Sequence, residues 1–221
     1  MAQELFDAIR ENDKDKVARL IAANPALAHA RNEAGISALM QARYGFRPEI
    51  VEVLRSAAGE LDVFEAATLG DVPRLHALLA NDPGLAKTYS SDGFTALQLA
   101  AFFGQPASVA ALLQYAPDVN AVSHNPMKVA AINAAAASRN LEVVKLVLQA
   151  GASPDAQQQA GYAALHEAAA NNNVELAKVL LSAGADPRVR SDAGLTAADI
   201  AREKGHAAIA EMLEARKPPV G

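Results

Sequence analysis

At 221 residues, with 51% hydrophobic but only 5% aromatic residues and no tryptophan, the chain cannot build a large core on rings; much of its apolar content is alanine, which suits helices packed closely at every interface. The absence of cysteine excludes disulfides, thiolate metal sites and cysteine nucleophiles, and a net charge of −5 gives no reason to expect nucleic acid or anionic lipid as a ligand. The start, Met1-Ala2-Gln3-Glu4-Leu5, lacks the basic and apolar regions of a secretory signal, and no apolar run approaches the roughly 18 residues that span a bilayer, so the expected setting is cytoplasmic.

The predicted elements recur. An apolar residue opening a Leu-x-x-Ala-Ala-like segment stands at Leu5, Leu39, Val63, Leu97, Ile132, Leu165 and Ala198, at intervals of 34, 24, 34, 35, 33 and 33 residues. Each of the seven units predicts a turn and two short helices. The first, near 2–31, begins in polar Gln3-Glu4 and ends in Pro25-Ala26-Leu27-Ala28, whose leucine is expected to tuck under the helices. The second, near 32–60, runs into the third, near 61–89, through Gly59-Glu60-Leu61-Asp62; the interval there is about nine residues short, and the missing piece is the projecting turn, or finger, near 59–62. A gap in the finger row is expected. Residues 5–40 also match 63–98 at a constant offset of 58 (Phe6 with Phe64, Asp13 with Asp71, Pro25 with Pro83, Leu39 with Leu97), which implies a duplicated two-unit block.

The fourth unit, near 90–121, ends Tyr115-Ala116-Pro117-Asp118 with alanine where a capping glycine belongs. The residue before proline is pushed out of the α region, so the helix is expected to stop early. The fifth, near 122–156, has a finger about two residues longer, Val122 to Met127, read either as tolerated surface drift or as part of a contact surface. In the sixth, near 157–188, Leu165, Ala168 and Ala169 make the buried stripe of one helix, Asn171-Asn172-Asn173 breaks it, Val174 to Leu181 forms a second, and Gly184 caps that one. The seventh, near 189–216, carries Arg202, Glu203, Lys204 and Glu211 on a wet outer face, and 217–221 is expected to be a frayed tail.

The phrases Asp92-Gly93-Phe94-Thr95-Ala96-Leu97-Gln98-Leu99-Ala100-Ala101, Asn140 to Ala152, and Gly194 to His206 resemble the ankyrin repeat family, and the resemblance covers roughly residues 4 to 216. It implies an all-α solenoid, a single domain over 1–216, in which antiparallel helix pairs stack and fingers project along one edge. It also implies a concave face of fingers and inner helices that binds a protein partner.

Catalytic constellations fail on spacing. His166-Glu167 begins a zinc-protease phrase whose second histidine would have to stand at Ala170, and the five histidines lie outside helical reach of one another. His166 is expected to hydrogen-bond the backbone of the adjacent finger, as are Gln98 and Asp199 at equivalent positions. No catalytic residue, metal or cofactor is expected, and function then lies in a surface. Positions not needed for stacking hold most of the scarce aromatics, so the expected partner-binding residues are Tyr44, Tyr89, Asp92, Phe94, Phe102, Phe103, His124, Gln158, Tyr162 and Asn171. Phe103 could instead fill space against a neighbouring unit. The leading expectation is a monomeric, non-catalytic protein-binding module with no nucleic-acid or membrane partner; the alternatives are an inhibitory or regulatory subunit of one enzyme, and a small-ligand binder at the irregular junction of the second and third units.

Overall fold

The computed structural model describes residues 1–215; the tail expected over 217–221 lies outside them. The described chain is helical, in two layers. One layer holds the first helix of each repeat: α1 (Ala2–Glu11), α3 (Ala38–Tyr44), α5 (Val63–Leu69), α7 (Ala96–Phe102), α9 (Ala131–Ala137), α11 (Ala164–Ala170) and α13 (Ala197–Glu203). The other holds the second: α2 (Lys14–Ala23), α4 (Pro48–Ala58), α6 (Val72–Asn81), α8 (Pro106–Leu113), α10 (Leu141–Gln149), α12 (Val174–Ser182) and α14 (Ala207–Glu214). Helices this short are marginal alone and owe their stability to burial. In α9 every residue from Ala131 to Ala136 is buried, because α7 and α11 flank it and α10 backs it; alanine is what lets the backbones approach. All seven recurring anchors, Leu5 through Ala198, are buried.

The irregular positions have local causes. Pro25–His29 and Pro83–Lys87 form 3-10 turns, with Leu27 buried and Leu85 packed half-buried against the core, as a latch under the helices requires. Helix α8 ends at Leu113, and Ala116 takes a left-handed φ of 47° at the place where Gly151 and Gly184 take 92° and 93°. The early stop is therefore real.

Each regular finger closes on one backbone hydrogen bond, such as Ser90 N–H to the Phe94 carbonyl (2.8 Å) or Ser191 N–H to the Leu195 carbonyl (2.9 Å). In the long finger the same bond runs from Ser123 N–H to the Val129 carbonyl, which places the two extra residues inside the loop. Successive fingers are laced together: His124 N–H donates to the Gly93 carbonyl (2.8 Å), Gln159 N–H to the Met127 carbonyl (2.8 Å) and Asp192 N–H to the Ala160 carbonyl (3.0 Å).

The third residue of the first helix ties each repeat to the next finger. Gln98 accepts from Thr95 N–H (3.0 Å) and donates to the Ala121 and Val129 carbonyls (2.8 and 2.9 Å). Asn133 accepts from Ala130 N–H and donates to the Ala156 carbonyl, and His166 Nδ1 accepts from Ala163 N–H (2.9 Å) while Nε2 donates to the Leu195 carbonyl (3.2 Å). Asp199 departs from the expectation: its carboxylate turns back on Thr196, since no further finger follows among the described residues. In the second repeat the position holds Met40, because the finger it would serve is missing.

Four residues, 59–62, separate α4 from α5, and without a finger to lead it in, α5 starts on a cap of its own. Asp62 accepts from Phe64 and Glu65 N–H (2.9 and 2.8 Å), Glu65 accepts from Asp62 N–H, and the Ser37 hydroxyl donates to the buried Glu65 carboxylate (2.6 Å). The expected gap in the finger row is corrected here. The fingers of the second and fourth repeats close up on each other, so that a Cβ on Gly35 would lie 2.9 Å from the Ser91 Cβ, leaving only a pocket of about 110 Å3 walled by residues such as Arg31, Asp62, Phe64 and Tyr89.

Burial is the main influence on His166 and lowers its pKa below the ordinary 6.5, against the hydrogen bonds to the Leu195, Val189 and Ala163 backbone, which act to raise it. The folded state then binds fewer protons than the unfolded state, so the His166 contribution to stability is present above pH 6.5 and is lost as pH falls below it. His166→Gln, which installs the residue the fourth repeat already uses, is expected to flatten that acid-side loss in urea titrations run across a pH series.

Candidate functional site

Deletion of one finger brings equivalent positions of the duplicated block face to face. Ile36 and Phe94, 58 residues apart, each follow a finger glycine; Tyr44 and Phe102, again 58 apart, each end an inner helix. All four line one pocket of about 300 Å3 in the angle between fingers and inner helices, with Leu99, Met127, Val129 and Ala134 completing apolar walls. Asp92 and Gln98 also border it. The Tyr44 hydroxyl donates to the Asp92 carboxylate at 2.6 Å, and the Ser90 hydroxyl donates to its other oxygen at 2.5 Å. Burial first, then the hydrogen bond to Asp92 and its charge, push the Tyr44 phenol far above its ordinary value, so it stays a donor. Phe102 and Met127 remain 39% and 50% exposed at this face, a poor use of apolar area in an isolated chain.

Beside the pocket, Phe103 is the centre of an aromatic cluster. Its ring stacks with Tyr44 (5.9 Å), meets Phe102 edge-on (5.1 Å) and lies 6.3 Å from Phe46, while the Arg43 guanidinium sits 4.4 Å above it and donates to the Thr68 carbonyl. Phe103 therefore both packs between repeats and supports the exposed rings, at about 0.5–1.5 kcal/mol per aromatic pair.

The expected binding residues do not form one patch. Tyr44, Asp92, Phe94 and Phe102 converge on the pocket and Phe103 backs them. Tyr89 and His124 stack on each other at 3.6 Å, clamping the long finger to its neighbour. Gln158, Tyr162 and Asn171 belong to the sixth repeat and line no part of the pocket: Gln158 closes its finger, Tyr162 leans on His166, and Asn171 bonds Glu167.

Sequence reasoning missed Phe46 and Arg47. At the break after the inner helix the other repeats carry Asn12-Asp13, Gly70-Asp71, Gly104-Gln105, Arg139-Asn140, Asn172-Asn173 and Gly205-His206. Asn, Gly and short caps suit a left-handed turn followed by a helix N-cap. Phe46 instead holds φ 52° with its ring 68% exposed, and Arg47 places a cation at the N-terminus of α4 with no capping bond. Aligning the repeats on this break would have singled the pair out. Restoring the pattern with Phe46→Gly and Arg47→Asn is expected to raise stability by about 1–2 kcal/mol, read as a higher melting temperature.

A family model described as ankyrin repeats (3 copies) matches residues 63–158 and 132–217, more than half of the chain. The chain belongs to the ankyrin-repeat family. Among curated proteins, this ankyrin-repeat chain is 41% identical over 98 residues to a probable E3 ubiquitin-protein ligase, XBOS31, of Oryza sativa subsp. japonica, a match covering 42% of the chain and 21% of that protein. The chain thus spans about a fifth of the curated relative it matches. Among the described residues of the ankyrin-repeat array, no helix is long and apolar enough to cross a membrane.

Proposed function

We propose that this ankyrin-repeat chain is a non-catalytic protein-binding module whose partner seats an apolar side chain in the pocket between the second, fourth and fifth repeats. The observation that carries the reading is the pocket itself: walls almost wholly apolar, about 300 Å3, opening beside exposed Phe102 and Met127. Aromatic residues in desolvated pockets are where binding energy concentrates. The polar side chains deep in the array support a role without chemistry, since Gln98, Asn133 and His166 are each engaged by backbone groups. The ligase activity named for the rice relative is not carried over, because most of that protein lies outside the match.

The test is affinity capture with the purified chain beside a Phe102→Ala, Met127→Ala variant checked for an unchanged helical spectrum. A protein held by the wild type and released by the variant is the expected result; equal retention by both moves the binding surface elsewhere. A small apolar ligand is the second reading, favoured by a pocket volume at the lower end of those of small-molecule sites. Its sign would be a thermal shift with apolar compounds that the same variant abolishes.

A further inference from the structure

The Phe46-Arg47 pair breaks two local rules at once, and folding explains neither. Side chains held against backbone and helix-dipole preference concentrate at functional positions. With Arg43, Pro48 and Val51 the pair lines a second concavity of about 280 Å3 that has an apolar floor and two guanidinium groups on its walls. Neither Arg43 nor Arg47 makes an ion pair among the described residues. Arg43 spends two donors on the Thr68 carbonyl and stacks on Phe103, which fixes its plane and leaves its charge without a counter-ion. In a chain of net charge −5, two uncompensated cations around an exposed ring are a local reversal of sign.

We infer that the partner of this surface presents an acidic side chain, held by Arg43 and Arg47 against the Phe46 ring, next to the apolar side chain that enters the neighbouring pocket. The inference rests on the protein-binding reading above and adds the chemistry of the partner. The two subsites share Phe103: Phe102, in the pocket wall, is 5.1 Å from its ring and the Arg43 guanidinium 4.4 Å from it, so anchor and carboxylate lie within about 10 Å, the span of about three residues of extended chain. Arginine is suited to this because its planar fork binds a carboxylate in two places and stays charged when partly buried.

A random peptide library displayed on phage, selected on the purified chain, tests this. The expected yield is peptides with an aliphatic or aromatic residue and, about three positions away, Asp or Glu. For a synthetic copy of an enriched peptide, replacing the acid by its amide should weaken binding about ten-fold, as should Arg47→Asn in the chain, and combining the two should cost no more than either alone. Arg47→Asn installs the residue found at Asn140 and Asn173, so loss of fold is not the expected cause, and circular dichroism checks it. Enriched peptides that are lost with Phe102→Ala, Met127→Ala yet show no acid preference, or bind Arg47→Asn with wild-type affinity, would overturn the acidic-partner inference and leave the binding surface standing. Failure to enrich any peptide over the Phe102→Ala, Met127→Ala variant would overturn both.

Discussion

Leu97→Ala is expected to cost about 2–5 kcal/mol of unfolding free energy. Leu97 is 1% exposed at the second position of α7, with α5 and α9 on either side, so truncation opens a cavity at two interfaces that cannot both collapse. Stability in a stacked array is approximately a sum of repeat and nearest-neighbour contributions, so weakening a central repeat is expected to divide the array as well as lower the midpoint. Urea unfolding should then broaden or show two steps. The equivalent change at Leu165, 2% exposed in α11, is expected to fall in the same range. A midpoint that does not move for either would contradict the packing register.

Gly161→Ala is the second large effect, and here the cause is contact between fingers. Gly161 holds φ 70°, and a Cβ there would lie 2.6 Å from both the backbone nitrogen and a carboxylate oxygen of Asp192 and 3.0 Å from the Ser191 carbonyl carbon. Those are mostly backbone atoms. Relief requires the sixth and seventh fingers to separate, which strains the Asp192-to-Ala160 and His166-to-Leu195 hydrogen bonds. Left-handed strain of about 1–2 kcal/mol plus the loss of about one hydrogen bond gives roughly 2–4 kcal/mol. Gly194 is the internal control: its φ is 77°, but nothing lies within 4 Å of its Cβ position, so Gly194→Ala should show the strain alone. The difference between the two in equilibrium denaturation measures the finger-to-finger contact. Equal losses would mean that the fingers are not in contact in solution.

The repeat framework was legible because its signals are local. A buried anchor, a polar break and a turn recur at nearly fixed spacing, and the short interval between Leu39 and Val63 is enough by itself to place the missing finger. His166 and Gln98 were readable as backbone ligands for the same reason, whereas Asp199 was not, since what it bonds depends on whether another finger follows it. The closing of the second finger onto the fourth is a property of two segments about 58 residues apart and has no local sequence signal. Four expected residues, Tyr44, Asp92, Phe94 and Phe102, meet only because of that closure. Phe46 and Arg47 escaped notice for a different reason. Aromatics stand out at free positions of the inner helix, while this pair occupies the structural break, where its oddity shows only against the Gly, Asn and Asp of the other repeats.

The lost finger also divides the array by its tolerance of rearrangement. Beyond the fifth repeat every joint is of one kind, so recombination could insert, delete or shuffle whole repeats there and leave the pocket whole. The stretch from Ile36 to Ala134 is different: its walls come from both copies of an ancient duplication meeting across a deletion, and no single repeat within it can be exchanged without unmaking the cavity. Evolution by repeat exchange is thus open on one side of the protein and closed on the other, and relatives that vary in length should do so at their C-terminal repeats while keeping the N-terminal set intact.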